Sequence, residues 1–208
     1  MENKCGNDID QTIEYYEINA SAFIESTIGA DVSGLYKPFE DLLVPGCRIL
    51  DLGCGRGRDS NYFANKGYDV VAADPSPSMC AQTRSLVNIP VFKMKAEDIQ
   101  FSNEFDAVWA CASLLHVSKD DQTETLRAIG TALKPGGICY CSWKYGDKER
   151  VVEERIFVDF TEKSFRKALE KTSMFSEEKI WITNDVRISR QDQKWLNVLI
   201  KKRADFGQ

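Results

Sequence analysis

The residues best suited to chemistry lie in one short segment, Asp51-Leu52-Gly53-Cys54-Gly55-Arg56-Gly57. The apolar run Ile49–Leu52 leads into it, so the pattern predicts a buried strand followed by a glycine turn and a helix. Glycines at alternate positions keep side chains out of the turn, and a ligand can therefore lie against bare backbone where the helix starts. The segment is typical of a site for a nucleotide-type cofactor.

The charge of this segment indicates which cofactor to expect. In the dinucleotide fingerprint the third glycine comes one residue later than Gly57 does here, and the turn has to accept a pyrophosphate. Asp51 would repel phosphates and attract an ammonium or a sulfonium group. S-adenosylmethionine has both of these cations, one carboxylate and no phosphate, so we expect it to be the cofactor. A dinucleotide-dependent oxidoreductase is the disfavoured alternative.

The composition favours one α/β domain over residues 1–208, because 43% hydrophobic content in 208 residues supplies a single core. The sequence has no N-terminal signal pattern and no apolar run of about 18 residues, so we expect a cytoplasmic protein without a membrane contact. The net charge of −5 and the pI of about 5.1 argue against a nucleic-acid partner. Seven scattered cysteines and one histidine, without a Cys-x-x-Cys pair, predict neither disulfides nor a metal site.

Strand and helix signals alternate along the chain, which predicts a doubly wound, mostly parallel sheet. Apolar residues three and four apart predict an amphipathic helix over 9–27, within an N-terminal region of about 8–28. A cofactor-binding core is expected over 45–145 and a tail over 146–208. The expected strands are 48–52, 69–73, 91–95, 105–110 and 137–143, with an antiparallel edge hairpin of 179–183 and 194–201, and the further helices are 38–43, 58–66, 76–87, 119–133 and 161–171.

Four motifs follow this alternation in a fixed order: Leu50–Gly57 after the first strand, Asp74 at the end of the second, Ala96–Ile99 after the third, and Leu133–Gly137 before the fifth. Over roughly residues 10–202, this order resembles the class I S-adenosylmethionine-dependent methyltransferases. The resemblance implies a seven-stranded Rossmann-like sheet. The segment Gly55–Ser60 and the small size look most similar to the tellurite-resistance and thiopurine-type methyltransferases, which act on small soft nucleophiles.

The resemblance also implies how the cofactor is held. The Asp74 carboxylate would accept both ribose hydroxyls, unless it serves as the N-cap of the next helix. Of the acidic pair Glu97 and Asp98, we select Asp98 for the adenine amino group, with Ile99 packing on the ring; solvated loop acids are the alternative. Further expected cofactor contacts come from the glycine turn and from the loop that covers the adenosine: Asp51, Gly53, Gly55, Pro75, Ser76 and Met79.

Two groups are implied near the methionine part of the cofactor. Arg58 would meet its carboxylate, or else pair with Asp59 on the helix surface. In similar methyltransferases the first helix lies over the cofactor and an aromatic hydroxyl reaches the carboxylate. Tyr15, Tyr16 and Asn19 are therefore candidates on this capping helix, and a plain packing helix is the alternative.

The acceptor side is expected after the fourth and fifth strands. Cys111 and Ala112 would border the transferable methyl group. His116, the single histidine, is the candidate general base if the acceptor must lose a proton, and a structural histidine is the alternative. In the acceptor-side tail and its entrance, the candidates are aromatic residues for an apolar acceptor and cations for an anionic one: Trp143, Lys144, Tyr145 and Arg187.

The sequence therefore predicts methyl transfer from S-adenosylmethionine to a small-molecule acceptor by direct displacement. It contains neither an Asn/Asp-Pro-Pro-aromatic tetrapeptide nor a Pro-Cys or Thr-Cys pair, which disfavours the two kinds of base methylation that use them. A methyltransferase acting on protein or RNA and a non-catalytic S-adenosylmethionine-binding module are the alternatives.

Overall fold

The computed structural model describes residues 4–19, 31–187 and 190–204. Seven strands of this described part form one sheet, and two more form a separate antiparallel hairpin. In chain order the strands are β1 Arg48–Leu52, β2 Asp69–Asp74, β3 Val91–Lys93, β4 Phe105–Ala110, β5 Leu133–Lys144, β6 Glu149–Val152, β7 Arg155–Val158, β8 Phe175–Asn184 and β9 Lys194–Lys202.

The sheet has the order β3-β2-β1-β4-β5-β9-β8. Strands β1 to β5 run parallel, whereas β9 runs antiparallel to both β5 and β8. The predicted α/β fold, with seven strands and an antiparallel hairpin at the C-terminal edge, is confirmed.

Helices connect and cover these strands. The described helices are α1 Lys4–Ile18, α2 Ser33–Glu40, α3 Arg58–Asn65, α4 Pro77–Leu86, α5 Gln122–Ala132 and α6 Glu162–Thr172. α1 lies against β7 and α4, so it crosses the carboxyl-terminal side of the sheet. Within the ranges described, no helix is both long and apolar enough to cross a membrane.

The central strands are buried on both faces, as expected when helices cover a parallel sheet. On one face Trp109 stacks on Tyr140, with 4.0 Å between ring centroids, and packs against Phe63. On the other face Trp143 is fully buried and packs against Phe160. The side chain of Trp143, predicted as an acceptor-side residue, belongs to this core.

Three elements differ from the sequence-based expectation. α1 begins at Lys4 and ends at Ile18, and the predicted continuation over 20–28 lies outside the described residues. The predicted turn before the fifth strand lies within β5, where Gly136 has a φ of +77° and the pairing with β4 shifts register. The β6–β7 hairpin was not predicted, because its turn residues Glu153 and Glu154 adopt positive φ without a glycine or asparagine to signal it.

Candidate active site

Two cavities lie side by side at the carboxyl ends of the parallel strands, where open α/β sheets bind their ligands. The first has a volume of about 130 Å³ and the second of about 230 Å³. Both are bordered by the glycine turn after β1, by α1 and by the segment after β4. The residues common to the two linings are Tyr16, Gly53, Gly55, Ala112 and His116.

The glycine turn is held against β2 by backbone hydrogen bonds, including one of 2.7 Å from the Gly53 N–H to the Ala73 carbonyl. Gly53 has a φ of +78°, and a Cβ there would lie 2.1 Å from the Ser113 Oγ. Gly57 has a φ of +85°, and its Cβ would lie 2.9 Å from the Thr83 side chain. These two positions therefore require glycine for both conformation and space.

Asp74 joins this turn to the first turn of α4. Its Oδ2 accepts from the Gly55 N–H and its Oδ1 from the Ser76 N–H, each at 2.9 Å. Burial raises the pKa of Asp74 to about 6. The N-cap of α4 is Ser76, which accepts from the Met79 N–H at 3.2 Å, so the capping alternative for Asp74 is wrong. Asp74 lines the first cavity, together with Pro75, Ser76 and Met79.

Asp51 lies behind the glycine turn rather than in front of it. Its Oδ2 accepts a hydrogen bond of 2.5 Å from the Ser60 hydroxyl on α3, and the residue is 2% exposed. Burial, followed by the nearby Asp59 charge, raises the pKa of Asp51 to about 8. It belongs to neither cavity lining described here. The Asp51 carboxyl group, predicted to contact the cofactor, is turned toward α3.

The acidic pair after β3 divides between cavity and solvent. Glu97 lines the first cavity, and burial raises its pKa. Asp98 is exposed outside both linings, and Ile99 is buried in the core behind them. Of the three predicted adenine contacts, Glu97, Asp98 and Ile99, the structure brings Glu97 into the first cavity lining.

α1 is fastened across the first cavity by Glu17. This carboxylate accepts from the Ser76 hydroxyl at 2.6 Å, from the Ser78 N–H at 3.1 Å and from the Ser78 hydroxyl. These hydrogen bonds lower the pKa of Glu17. The sequence analysis missed Glu17, because its partners lie about sixty residues away and no local pattern marks the contact.

Two of the three candidates on and next to α1 have partners outside the glycine turn. The Tyr15 hydroxyl bonds to Glu153 at 3.4 Å, and the Arg155 guanidinium lies 4.0 Å from the centre of its ring. Asn19 donates to the Tyr15 carbonyl at 2.9 Å. Tyr15 and Asn19 are absent from both described linings, whereas Tyr16 lines both.

Tyr16 and His116 form a hydrogen-bonded pair where the two cavities meet. The His116 Nδ1 lies 2.7 Å from the Ile156 carbonyl, which only accepts, so Nδ1 carries the proton. Burial lowers the pKa of His116 to about 4, and its ring is neutral at pH 7. The Nε2 atom is then an acceptor, and the Tyr16 hydroxyl donates to it at 2.8 Å.

Charged side chains surround the second cavity. Arg58 lines it and also pairs with Asp59, with 2.6 Å between Nε and Oδ1, so the ion pair left open by the sequence is present. Lys144 and Arg187 line it as predicted. Tyr145, also predicted for the acceptor side, is absent from this lining; its side chain is exposed and donates to Glu162 at 2.9 Å.

The remaining predicted residues of the second cavity are Cys111 and Ala112, and both line it. Burial raises the pKa of Cys111 to about 12, which keeps it a thiol rather than a nucleophilic thiolate. Asp185 and Arg190, after β8, were not predicted and carry no motif. Asp185 accepts from Arg187 at 2.5 Å and from the Trp195 Nε1–H at 3.1 Å.

The sequence and the fold agree with those of known methyltransferases. Residues 49–137 match a family described as methyltransferase domain. An uncharacterised methyltransferase of Synechocystis is 36% identical over 106 residues, covering 49% of each chain. The fold is similar to that of the 1,6-didemethyltoxoflavin-N1-methyltransferase of Burkholderia thailandensis, with a TM-score of 0.76, 20% identity and coverage of 94% of this chain and 87% of that chain. A TehB-like S-adenosylmethionine-dependent methyltransferase of Corynebacterium glutamicum gives a TM-score of 0.65, 18% identity and coverage of 94% and 98%.

The family match falls on the cofactor motifs, and the fold similarity extends over nearly the whole chain. Residues 49–137 are therefore similar to a methyltransferase domain, and the fold predicted from the sequence is confirmed over nearly the whole chain. The matches to the curated relatives span about half of the length of each.

Proposed function

We propose that this protein transfers a methyl group from S-adenosylmethionine to a small-molecule acceptor by direct displacement. The observation that carries the proposal is the meeting of two cavities at the glycine turn, with Tyr16 and His116 at their junction. The first cavity would receive the adenosine, because Asp74 can accept from the ribose hydroxyls and Glu97 from the adenine amino group. The methionine part would cross the turn toward Arg58, and its methyl would face the second cavity.

In the displacement, the acceptor nucleophile forms a bond to the methyl carbon while the bond between that carbon and the cofactor sulfur breaks. The electron pair goes to the sulfur, and the sulfonium becomes a neutral thioether. Because the leaving group is already activated, the protein contributes mainly position and the exclusion of water. The Glu17 hydrogen bonds, which fasten α1 across the first cavity, support this role.

His116 would act as a base through Tyr16 when the acceptor is a hydroxyl group. The acceptor proton would pass to the Tyr16 oxygen as the Tyr16 proton passes to the His116 Nε2. The Ile156 carbonyl then accepts from Nδ1 of the resulting imidazolium ring. An acceptor that arrives as a thiolate would need no proton transfer, and the pair would then only shape the junction.

A small acceptor is supported by the dimensions and walls of the second cavity. Its volume of about 230 Å³ is bounded by the end of β5, by β7 and by the C-terminal hairpin. These elements surround the space from several sides, which suits a compact molecule better than an extended polymer.

Titration calorimetry with S-adenosylhomocysteine tests the cofactor site. Asp74→Ala should weaken binding by about 1.5–3 kcal/mol, or roughly 10- to 150-fold, because hydrogen bonds to a charged group are lost. Asp98→Ala is the matched control and should change the affinity by less than about twofold. No heat with the wild-type protein would overturn the proposal, and equal losses for both variants would remove the assigned role of Asp74.

A labelled methyl donor then separates the classes of acceptor. Transfer to thiols or phenols in a small-molecule screen supports the proposal. Transfer confined to RNA or protein, or cofactor binding without any transfer, would replace it by one of the two alternatives.

A further inference from the structure

The second cavity concentrates positive charge in a chain whose net charge is −5. Among the described residues, its lining contains two carboxylates, Asp59 and Asp185. The same lining contains six cationic side chains: Arg56, Arg58, Lys144, Arg155, Arg187 and Arg190. The lining therefore has four more cations than carboxylates.

Both carboxylates are already engaged by arginines and indoles. Asp59 accepts from Arg58 at 2.6 Å and from the Trp109 Nε1–H at 2.8 Å. Asp185 accepts from Arg187 at 2.5 Å, with Trp195 on the same oxygen. These carboxylates consequently offset the charges of Arg58 and Arg187, and no further carboxylate of the described lining faces the other cations.

Lys144 and Arg155 lie near the junction of the two cavities, because their charges, after burial, lower the pKa of His116. The Lys144 ammonium lies 4.2 Å from the centre of the Phe157 ring and has no ion-pair partner within the described part of the chain. Burial and the neighbouring Arg150, Arg187 and Arg190 lower the pKa of Lys144 to about 8.

Arg155 has a side chain that is 12% exposed. Its Nη2 reaches Glu153 at 2.5 Å, but that carboxylate is 65% exposed and lies outside the cavity lining. The Arg155 Nε is buried and has no hydrogen-bond partner among the described residues. A buried guanidinium with an unpaired donor is costly unless a ligand supplies the acceptor.

The bound cofactor would not supply the missing negative charge. S-adenosylmethionine carries a sulfonium, an ammonium and one carboxylate, so it adds one positive charge to the site. Its carboxylate belongs beside the glycine turn, where Arg58 lies. A neutral or cationic acceptor would leave Lys144 and Arg155 without counter-charge in a partly desolvated space.

We propose that the acceptor is a small organic anion whose charged group, such as a carboxylate, is held by Lys144 and Arg155 in the second cavity. This inference rests on the proposed methyl transfer and names the class of acceptor for it. The anionic group binds to these two cations, and a separate nucleophilic atom of the same molecule faces the junction at Tyr16. The Phe157 ring, beneath the Lys144 ammonium, provides an apolar surface for the body of the molecule. The positive field would also speed the encounter with an anion.

The test uses two probes of equal shape, 4-mercaptobenzoate and 4-mercaptobenzamide, at fixed ionic strength. Calorimetry on protein saturated with S-adenosylhomocysteine should show at least tenfold tighter binding of the acid, and transfer from labelled S-adenosylmethionine should show the same preference in kcat/KM. Lys144→Gln and Arg155→Gln should each reduce the preference at least fivefold. Lys167→Gln removes an exposed charge on α6, outside the cavity, and should leave the preference intact.

Equal binding of acid and amide, no binding of either, or an undiminished preference in Lys144→Gln would overturn the inference. Lys144→Gln keeps the test decisive if Arg155→Gln disturbs the packing on Tyr15. A separate titration with S-adenosylhomocysteine alone distinguishes the two proposals. Absence of that binding removes the proposed function, whereas normal binding without acid preference removes only the anionic acceptor.

Discussion

The two cavities are built by different means and carry opposite charge. The first is formed largely by the glycine turn and the strand ends, and the charged residues of its lining are Asp74, Glu97 and Lys95. The second is formed by side chains from β5, β7 and the C-terminal hairpin, with cations in excess. A backbone site tolerates little change, whereas a side-chain site can be altered residue by residue. The fold thus keeps one ligand constant and leaves the other adjustable.

The largest expected effect comes from a change in the backbone of the first cavity. In Gly53→Ala the new Cβ would meet the Ser113 Oγ at 2.1 Å at a φ of +78°, so something must shift. We expect the free energy of unfolding to fall by about 3 kcal/mol, and S-adenosylhomocysteine binding to be lost. Urea unfolding and calorimetry measure the two effects.

Gly34→Ala is the matched control for this change. No atom lies within 4 Å of its added Cβ, and the position is exposed in α2. The substitution should leave stability unchanged or raise it by about 0.5–1 kcal/mol. If Gly53→Ala were as stable as Gly34→Ala, the close approach of Ser113 to the turn would be refuted.

A smaller effect is expected where the two cavities meet. Tyr16→Phe and His116→Gln should each lower kcat for a phenol acceptor about 100-fold, because the proton path is broken, while the rate with a thiolate acceptor falls far less. Stopped assays with labelled cofactor on both acceptors measure the difference. Equal losses on the two acceptors would assign the pair a purely structural role.

The smallest expected effect concerns stability against pH behind the first cavity. Asp51 holds a proton in the folded protein up to a pH of about 8, whereas the unfolded chain releases it near pH 4. The folded state then binds more protons, so its stability falls as pH rises. His116, with a pKa near 4 in the folded protein and near 6.5 in the unfolded chain, gives an opposite slope that fades above about pH 6.5, and Asp74, with a pKa near 6, is largely ionised there.

Between pH 6.5 and 7.5 we therefore expect the free energy of unfolding of the cofactor-free protein to fall by about 1 kcal/mol. Asp51→Asn keeps an acceptor for Ser60 and should remove this slope. Urea unfolding at several pH values provides the measurement. A slope that persists in Asp51→Asn would show that another group carries the proton.

The sheet and the first cavity could be predicted from sequence because their signals are local. The glycine turn, Asp74 and the motif after β3 each follow a strand directly, and strand ends meet at one edge of a parallel sheet. Two choices depend on the phase of a short segment: of the predicted pair Glu97 and Asp98 only Glu97 lines the first cavity, and of the two candidate tyrosines only Tyr16 does. In a short turn or on a helix, a shift by one position changes which side chain faces the ligand. Sequence spacing alone does not determine that position.

The second cavity could be predicted only in part. Lys144 and Arg187 were recognised as cations near the strand ends, but Asp185 and Arg190 were not. Their positions depend on the C-terminal hairpin and on β6–β7, whose turn lacks the usual residues. Contacts between segments this far apart in sequence leave no periodic pattern, so the charge excess became visible only in the folded chain.

The carboxylate of Glu17 gives the cofactor site a kinetic property. Its hydrogen bonds to Ser76 and Ser78 tie α1 to the start of α4, and Ser76 itself lines the first cavity. Charge-assisted hydrogen bonds are stronger than neutral ones. S-adenosylhomocysteine bound beneath α1 would therefore dissociate only after this helix detaches. Its residence time would then depend on the rate at which the helix opens. When this opening is slower than the displacement at carbon, the release of product limits the turnover rate.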